Sequence, residues 1–106
     1  MPKYLIEANY HGEAIKGLLK EGGSARRRVV DELMASVGGK VDSFYYAFGE
    51  TDAYVVVDVP DNVTAAAVAL TVGASGAIKL KTTVLLTPEE VDQASKKSIS
   101  YRAPGA

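Results

Sequence analysis

Residues 40–59 read KVDSFYYAFGETDAYVVVDV, and this stretch decides the fold. Apolar and polar side chains alternate on both sides of Gly49–Asp52, which has the composition of a short turn. Lys40–Phe48 and Ala53–Val59 are therefore predicted to be two strands joined as a hairpin. The second of them is rich in β-branched residues, which favour the extended conformation.

Two more strands are predicted outside this hairpin. Lys3–Tyr10 and Ala77–Leu86 each alternate between an apolar side and a side of mixed character. Their apolar sides and that of Ala53–Val59 are expected to face the core. The expected inner set is Ile6, Ala8, Val55, Val57, Val59, Ile78, Leu80 and Val84.

Four helices are predicted to connect and follow the strands. The expected ranges are Glu13–Lys20, Ser24–Val37, Val63–Ser75 and Thr87–Lys96. Ser24 is expected to be an N-cap, and the glycine pair at Gly38 is expected to end that helix. Asp61 or Asn62 can cap the third helix, and Thr87 begins a Thr-Pro-Glu-Glu sequence typical of a helix start.

The order of elements predicts the fold class. If the first two helices form one broken crossover, the chain reads β-α-β-β-α-β, which is the ferredoxin-like plan of an α+β protein. Right-handed crossovers then place the helices on one face of a four-stranded antiparallel sheet with strand order 4-1-3-2. We expect one domain over residues 1–97 and an extended C-terminal tail over residues 98–106.

Composition excludes several classes of function. The 106 residues include no cysteine and a single histidine, so thiolate chemistry and a zinc site with several imidazoles within one subunit are excluded. We expect no cofactor and no bound metal. The net charge of −1 argues against a nucleic-acid or membrane partner. The opening residues lack a targeting segment, and the expected location is the cytoplasm.

The second face of the sheet is neither a dry core nor a plain solvated surface. It is expected to carry Glu7, Asn9, His11, Tyr54, Asp58, Lys79, Lys81 and Thr83, with Leu5, Val56 and Leu85 among them. Such a mixture suits a half-buried face that meets a second sheet across a wet cavity. The alternative is a solvent-facing sheet with cross-strand charge pairs such as Glu7 with Lys81.

Aromatic residues of the strand Lys40–Phe48 bear on the same question. Periodicity leaves open whether Tyr45 or the Phe44, Tyr46 and Phe48 set lies on the cavity side. Tyr46 is a candidate to line a cavity for an aromatic ligand, and ordinary packing is the alternative.

The segment EGGSARRR (21–28) places three arginines in the first turn of a helix, where cations are normally disfavoured. One interpretation is an anion site, in which the free amides after Ser24 bind a phosphate or carboxylate and Arg26 or Arg27 adds fixed charge. The other is pairing with acidic residues such as Asp31, or with another subunit. The segment lacks the ending of a P-loop and does not follow a strand.

Five segments resemble a known family, in order along nearly the whole chain. They are PKYLIEANY (2–10), GLLKEGGSARR (17–27), GGKVDSFYYAFGETD (38–52), VVVDVPDN (55–62) and KTTVLLTPEE (81–90). The sequence resembles the GYD-domain proteins. Gly49 and Asp52 match the signature of the family, whereas Thr51 stands where the signature has a tyrosine. The resemblance implies a ferredoxin-like domain similar to the dimeric α+β barrels, in which two sheets close around a shared interior.

The resemblance implies an assembly but no agreed reaction. By analogy with cofactor-free oxygenases and isomerases of the dimeric-barrel type, His11, Asn9 and Tyr54 are the candidate catalytic residues. Glu7 and Lys81 join them as candidate ligand-binding residues. The leading hypothesis is a homo-oligomer that binds a small anionic or aromatic ligand between subunits. The alternatives are a cofactor-independent enzyme and a structural or interaction module without a ligand.

Overall fold

The computed structural model describes residues 1–106 and contains four strands and four helices. The strands are β1 (Lys3–Tyr10), β2 (Lys40–Tyr46), β3 (Ala53–Asp58) and β4 (Ile78–Leu85). The helices are α1 (Glu13–Glu21), α2 (Gly23–Ser36), α3 (Asn62–Gly73) and α4 (Pro88–Ser95). Each element lies where the sequence pattern predicts it, and no end differs from the prediction by more than two residues.

The four strands form one antiparallel sheet with the order β2-β3-β1-β4. This is the predicted order, and the ferredoxin-like α+β fold is confirmed. β1 and β3 are central, so each contributes both of its edges to backbone hydrogen bonds. The two edge strands, β2 and β4, are the ones whose outer edges stay unpaired.

A bulge in β2 decides which of its aromatic residues face the helices. The register with β3 shifts between Val41 and Ser43. One extra residue in a strand reverses the alternation beyond it. Val41 and Phe44 therefore both pack against the core, and Tyr45 points to the other side, opposite Tyr54. A strict period of two would put Val41 and Phe44 on opposite faces.

The core lies between the sheet and helices α2 and α3. Its centre is a cluster of six buried residues, to which β1, β3, α2 and α3 contribute. The members are Tyr4, Met34, Val55, Val57, Val59 and Val68. The Tyr4 hydroxyl donates a hydrogen bond to Asn62 Oδ1, so this buried phenol has a partner. Full burial of one valine or methionine side chain of this cluster contributes about 1.5–3 kcal/mol to the free energy of folding.

The junction between α1 and α2 differs from the sequence prediction. α2 begins at Gly23 with Gly22 as its N-cap, so Ser24 is a helical residue and the predicted serine cap is wrong. Gly22 has φ 86°, a left-handed conformation that glycine adopts without strain. A Cβ at Gly23 would lie 2.8 Å from the Tyr46 ring, so the second glycine allows α2 to approach β2.

The later helix starts are capped as the sequence predicts. Asp61 Oδ1 accepts a hydrogen bond from the Thr64 N–H at 2.8 Å at the start of α3. At α4, Thr87 Oγ1 and Glu90 Oε1 complete a reciprocal capping box. Because each of these caps involves only residues close in sequence, both are predictable from the sequence alone.

α4 and the residues after it extend away from the rest of the protein. Every residue from Pro88 to Ala106 is exposed, including Val91, Ile99 and Tyr101. The radius of gyration is 17.0 Å, compared with about 13 Å for a compact domain of this length. We call residues 87–106 the C-terminal arm. Because none of these residues is buried, the arm lacks a packing partner within this chain. A helix of eight residues is marginal on its own.

Candidate functional site

The candidate site is the side of the sheet opposite the helices, which we call the outer face. It carries Ser43, Tyr45, Tyr54, Val56, Asp58, Leu5, Glu7, Asn9, Lys79, Lys81, Thr83 and Leu85. These are the residues expected from the mixed pattern, with Tyr45 and Ser43 added by β2. His11 is the expected member that lies elsewhere.

Four residues form a row across the middle of the outer face. Tyr45 is opposite Tyr54, Tyr54 is opposite Glu7, and Glu7 is opposite Lys81. Tyr45 is 72% exposed and Tyr54 is 40% exposed. The structure thus brings together three of the predicted site residues, Tyr54, Glu7 and Lys81, and adds Tyr45.

Glu7 is held by the turn between β2 and β3 and does not form the ion pair with Lys81 considered above. The Thr51 hydroxyl donates to Glu7 Oε1 at 3.4 Å, and no Lys81 nitrogen lies within 4.0 Å of a carboxylate. Thr51 stands where the family signature has a tyrosine. In this chain Thr51 contacts Glu7, a member of the central row of the outer face. The Lys81 ammonium remains unpaired.

Asn9 and Asp52 tie the hairpin turn to the end of β1. The Asp52 N–H donates to Ala8 O at 3.0 Å and to Asn9 Oδ1 at 3.2 Å. In return, the backbone N–H of Tyr10 donates to Asp52 Oδ2 at 2.9 Å. The carboxylate of the family signature therefore has a structural role in this chain. Tyr10 and Asn9 lie 42 and 43 residues from Asp52, which is why sequence spacing does not reveal these contacts.

One end of the outer face is closed by charged residues. Asp58 is buried, and its carboxylate meets Lys3 Nζ at 2.9 Å and Lys40 Nζ at 3.8 Å. Lys3 Nζ also lies 3.4 Å from Asp42. The hydrogen bond to Asp58 raises the pKa of Lys3 above its ordinary value. A buried carboxylate needs such partners, and Lys3 and Lys40 provide them.

His11 is separate from the other candidate catalytic residues. It follows the last residue of β1, its N–H donates to Ala77 O at 2.7 Å, and its side chain is exposed. It borders a shallow concavity with Ala69 and Gly73 of α3 and Lys79 of β4. Asn9 and Tyr54 lie on the outer face and do not line this concavity, and the grouping of His11, Asn9 and Tyr54 stays a prediction.

The arginines of EGGSARRR diverge. Arg27 Nε donates to Asp31 Oδ1 at 3.2 Å, and its guanidinium lies 5.8 Å from the centre of the Phe44 ring. Ser24 and Arg28 are exposed. Ser24, Arg27 and Arg28 border an open surface beside Tyr46. The pairing interpretation is thus confirmed for Arg27, and an anion site at Ser24 and Arg27 stays a prediction.

Arg26 turns inward, toward the sheet. Its guanidinium lies 5.9 Å from the centre of the buried Tyr10 ring, and it forms no ion pair. The Nε atom is buried and has no hydrogen-bond partner. Tyr46 lies nearby on the same, helix-covered side, and its hydroxyl donates to Gly23 O at 3.0 Å. Burial first, and then the neighbouring Tyr10, raises the pKa of Tyr46, partly offset by Arg26.

These features define a class and then a family. The sheet order, the helices on one face and the two crossovers make the chain a ferredoxin-like α+β protein. The sequence profile of the GYD domain matches residues 4–95, and the chain belongs to that family. Searches of curated proteins and of solved structures found no match. None of the helices has the length and hydrophobicity needed to cross a bilayer.

Proposed function

We propose that this chain acts as a homo-oligomer in which the outer faces of two copies stack and enclose a small-ligand site. The observation that carries the proposal is the central row of the outer face, in which the exposed Tyr45 and Tyr54 are neighbours and an unpaired Lys81 lies at the far end, beyond Glu7. Two exposed tyrosine rings in a row that also ends in an unpaired ammonium group favour an interface or a ligand over bulk water.

The order of residues in this row favours one symmetry. A two-fold axis parallel to the strands stacks β4 of one copy on β2 of the other, which places Lys81 over Tyr45 and Glu7 over Tyr54. An axis across the strands would instead stack Lys81 on Lys81 and Glu7 on Glu7. Like charges across an interface are unfavourable, whereas an ammonium over a tyrosine ring is attractive. We therefore favour the first arrangement.

The size of the outer face indicates that the C-terminal arm takes part. Four strands of up to eight residues span roughly 27 by 19 Å, or about 500 Å². A stable interface buries about 800 Å² per partner. The arm continues directly from β4, carries exposed apolar residues and lacks a partner within the chain. Packing of the arm on the second copy would supply the missing area.

The row also indicates the kind of ligand. Tyrosine rings offer faces for stacking an aromatic group, and Lys81 offers a positive charge for an anionic one. The proposed ligand is therefore small and aromatic, anionic or both. The enzyme alternative has less support, because His11 lies away from Asn9 and Tyr54 within the chain.

Light scattering during size-exclusion chromatography tests the assembly over a dilution series. We expect twice the chain mass or a higher multiple at micromolar concentration, and a monomer at every concentration would refute the proposal.

Native mass spectrometry of the purified oligomer tests the ligand part. A reproducible extra mass that leaves on denaturation supports a bound molecule. An oligomer that carries no extra mass, and whose crystal structure shows a dry interface, would support the module without a ligand.

A further inference from the structure

A second candidate site lies inside each subunit, on the helix-covered side of the sheet. A cavity of about 40 Å³ separates the sheet from α2 and α3, and 12 of its 13 lining residues are hydrophobic. Arg26 is the one charged residue among them. The Nε atom of Arg26 is buried beside these apolar residues without a hydrogen-bond partner, and Arg26 forms no ion pair. A buried N–H group without an acceptor is unfavourable.

A wider cleft of about 160 Å³ adjoins this cavity and opens to solvent between α1 and the end of the sheet. Tyr10, Arg26 and Ile78 line both spaces, so the guanidinium lies where the two meet. The α1 side of the cleft includes two small residues, Ala14 and Gly17. A Cβ added at Gly17 would meet no atom within 4 Å, which shows how much room remains there.

We infer that Arg26 binds the carboxylate of a small aliphatic acid, whose hydrocarbon chain enters the apolar cavity. Arginine is suited to this role because its planar fork matches a carboxylate. The 40 Å³ cavity has room for about three waters, and hence for a short chain of similar size. Glu21 borders the outer cleft and disfavours a second negative charge, so the ligand is a monoanion rather than a phosphate or a dicarboxylate.

This inference explains the arginine run that the family resemblance does not. Arg27 pairs with Asp31, and Arg28 is exposed to water, whereas Arg26 forms no ion pair and its Nε atom is buried. A bound carboxylate would supply the missing acceptor and place a negative charge beside the first turn of α2, where it is favoured. The site is built from one subunit and does not depend on the proposed assembly.

NMR titration of the ¹⁵N-labelled full chain tests the inference with acetate, propionate, butyrate, pentanoate and the neutral amide butyramide as probes. We expect saturable shifts at the amides of Tyr10, Arg26 and Ile78. Affinity should rise about fourfold per added methylene until the cavity is full. Butyramide should bind at least tenfold more weakly than butyrate. The dissociation constants should not change with protein concentration.

Three variants separate this site from a nonspecific effect of charge. Arg26→Met should weaken butyrate binding at least tenfold, whereas Arg28→Gln, which removes an exposed arginine of the same helix, should leave it within twofold. Gly17→Leu keeps Arg26 but fills the cleft, so it should also weaken butyrate binding. It replaces Arg26→Met as the test if Arg26→Met does not fold. Unsaturable shifts, equal binding of butyramide, or equal losses for Arg26→Met and Arg28→Gln would overturn the inference.

Discussion

The two faces of the sheet differ although they are made by alternate residues of the same strands. On the helix side, Tyr4 and Val57 are each 1% exposed. On the outer face, Tyr54 is 40% and Tyr45 is 72% exposed, and Val56 is only partly covered. The difference teaches that this chain completes one of its two faces by itself. The helix side has its partner within the chain, and under the proposed function a second copy covers the outer face.

The largest effect is expected from breaking the helix side. Met34 lies at the centre of the core and is 1% exposed. Met34→Ala removes buried contacts and leaves a cavity, which should lower the free energy of unfolding by about 2–5 kcal/mol. Urea unfolding at one fixed protein concentration measures it. Leu19→Ala, at an apolar residue that is 86% exposed, is the matched control and should change stability by less than about 0.5 kcal/mol. Equal effects would mean that the core is misplaced.

The next effect is expected from breaking the outer face. Val56→Asp puts a carboxylate in the middle of the proposed interface, and it should weaken self-association at least 100-fold, or about 2.7 kcal/mol. Val63→Asp makes the same exchange on the exposed surface of α3 and should leave association unchanged. Sedimentation equilibrium measures both, and circular dichroism checks that each variant is folded. Unaltered association of a folded Val56→Asp protein would contradict a role for the outer face.

A smaller effect is expected where the hairpin turn is tied to β1. Asp52→Ala removes the carboxylate that accepts from the Tyr10 N–H, and it should lower the free energy of unfolding by about 1.5–3 kcal/mol. Asp52→Asn keeps an acceptor at this position and should lose less. Thermal and urea unfolding compare the two variants. If both behave like the native protein, Asp52 does not hold the turn, and its place in the family signature needs another explanation.

The smallest effect is expected at the cap of α3 and depends on pH. Hydrogen bonds from Thr64, through its hydroxyl and its backbone N–H, lower the pKa of Asp61 below 3.8. The ionised cap therefore stabilises the folded state above pH 3.8, and this contribution disappears as pH falls through the lowered pKa. The stability difference between native protein and Asp61→Ala should be constant from neutral pH to about pH 5 and shrink below pH 3.8. A difference that does not change with pH would refute a charged cap.

The fold was predictable because its determinants are local. Alternation gives each strand its two faces, and caps such as Asp61 and Thr87 act on residues close in sequence. The sheet order then follows from the handedness of the crossovers. The predicted inner set agrees with the core, as Val55, Val57 and Val59 show, except that Val84 is 53% exposed.

Two of the three exceptions depend on contacts that are distant in sequence. The bulge at Ser43 reverses the alternation of β2, and only the register with β3 reveals it. Gly22 replaced Ser24 as the cap because α1 leads directly into α2 through a left-handed residue. Neighbouring arginines of one helix look alike in sequence, so the inward direction of Arg26 could not be inferred before Tyr10 was placed beside it.

The most direct test of the central claim uses the absence of cysteine from the native chain. A chain carrying Tyr45→Cys and Lys81→Cys holds its two thiols on β2 and β4, three strands apart at about 14 Å, too far for a bond within one copy. A short cross-linker with two thiol-reactive groups should join position 45 of one copy to position 81 of the other and yield a covalent dimer. Each single variant should remain largely uncross-linked. Failure of the double variant to form this dimer would contradict the account, and so would efficient dimer formation by Lys81→Cys alone, which would mean that β4 meets β4.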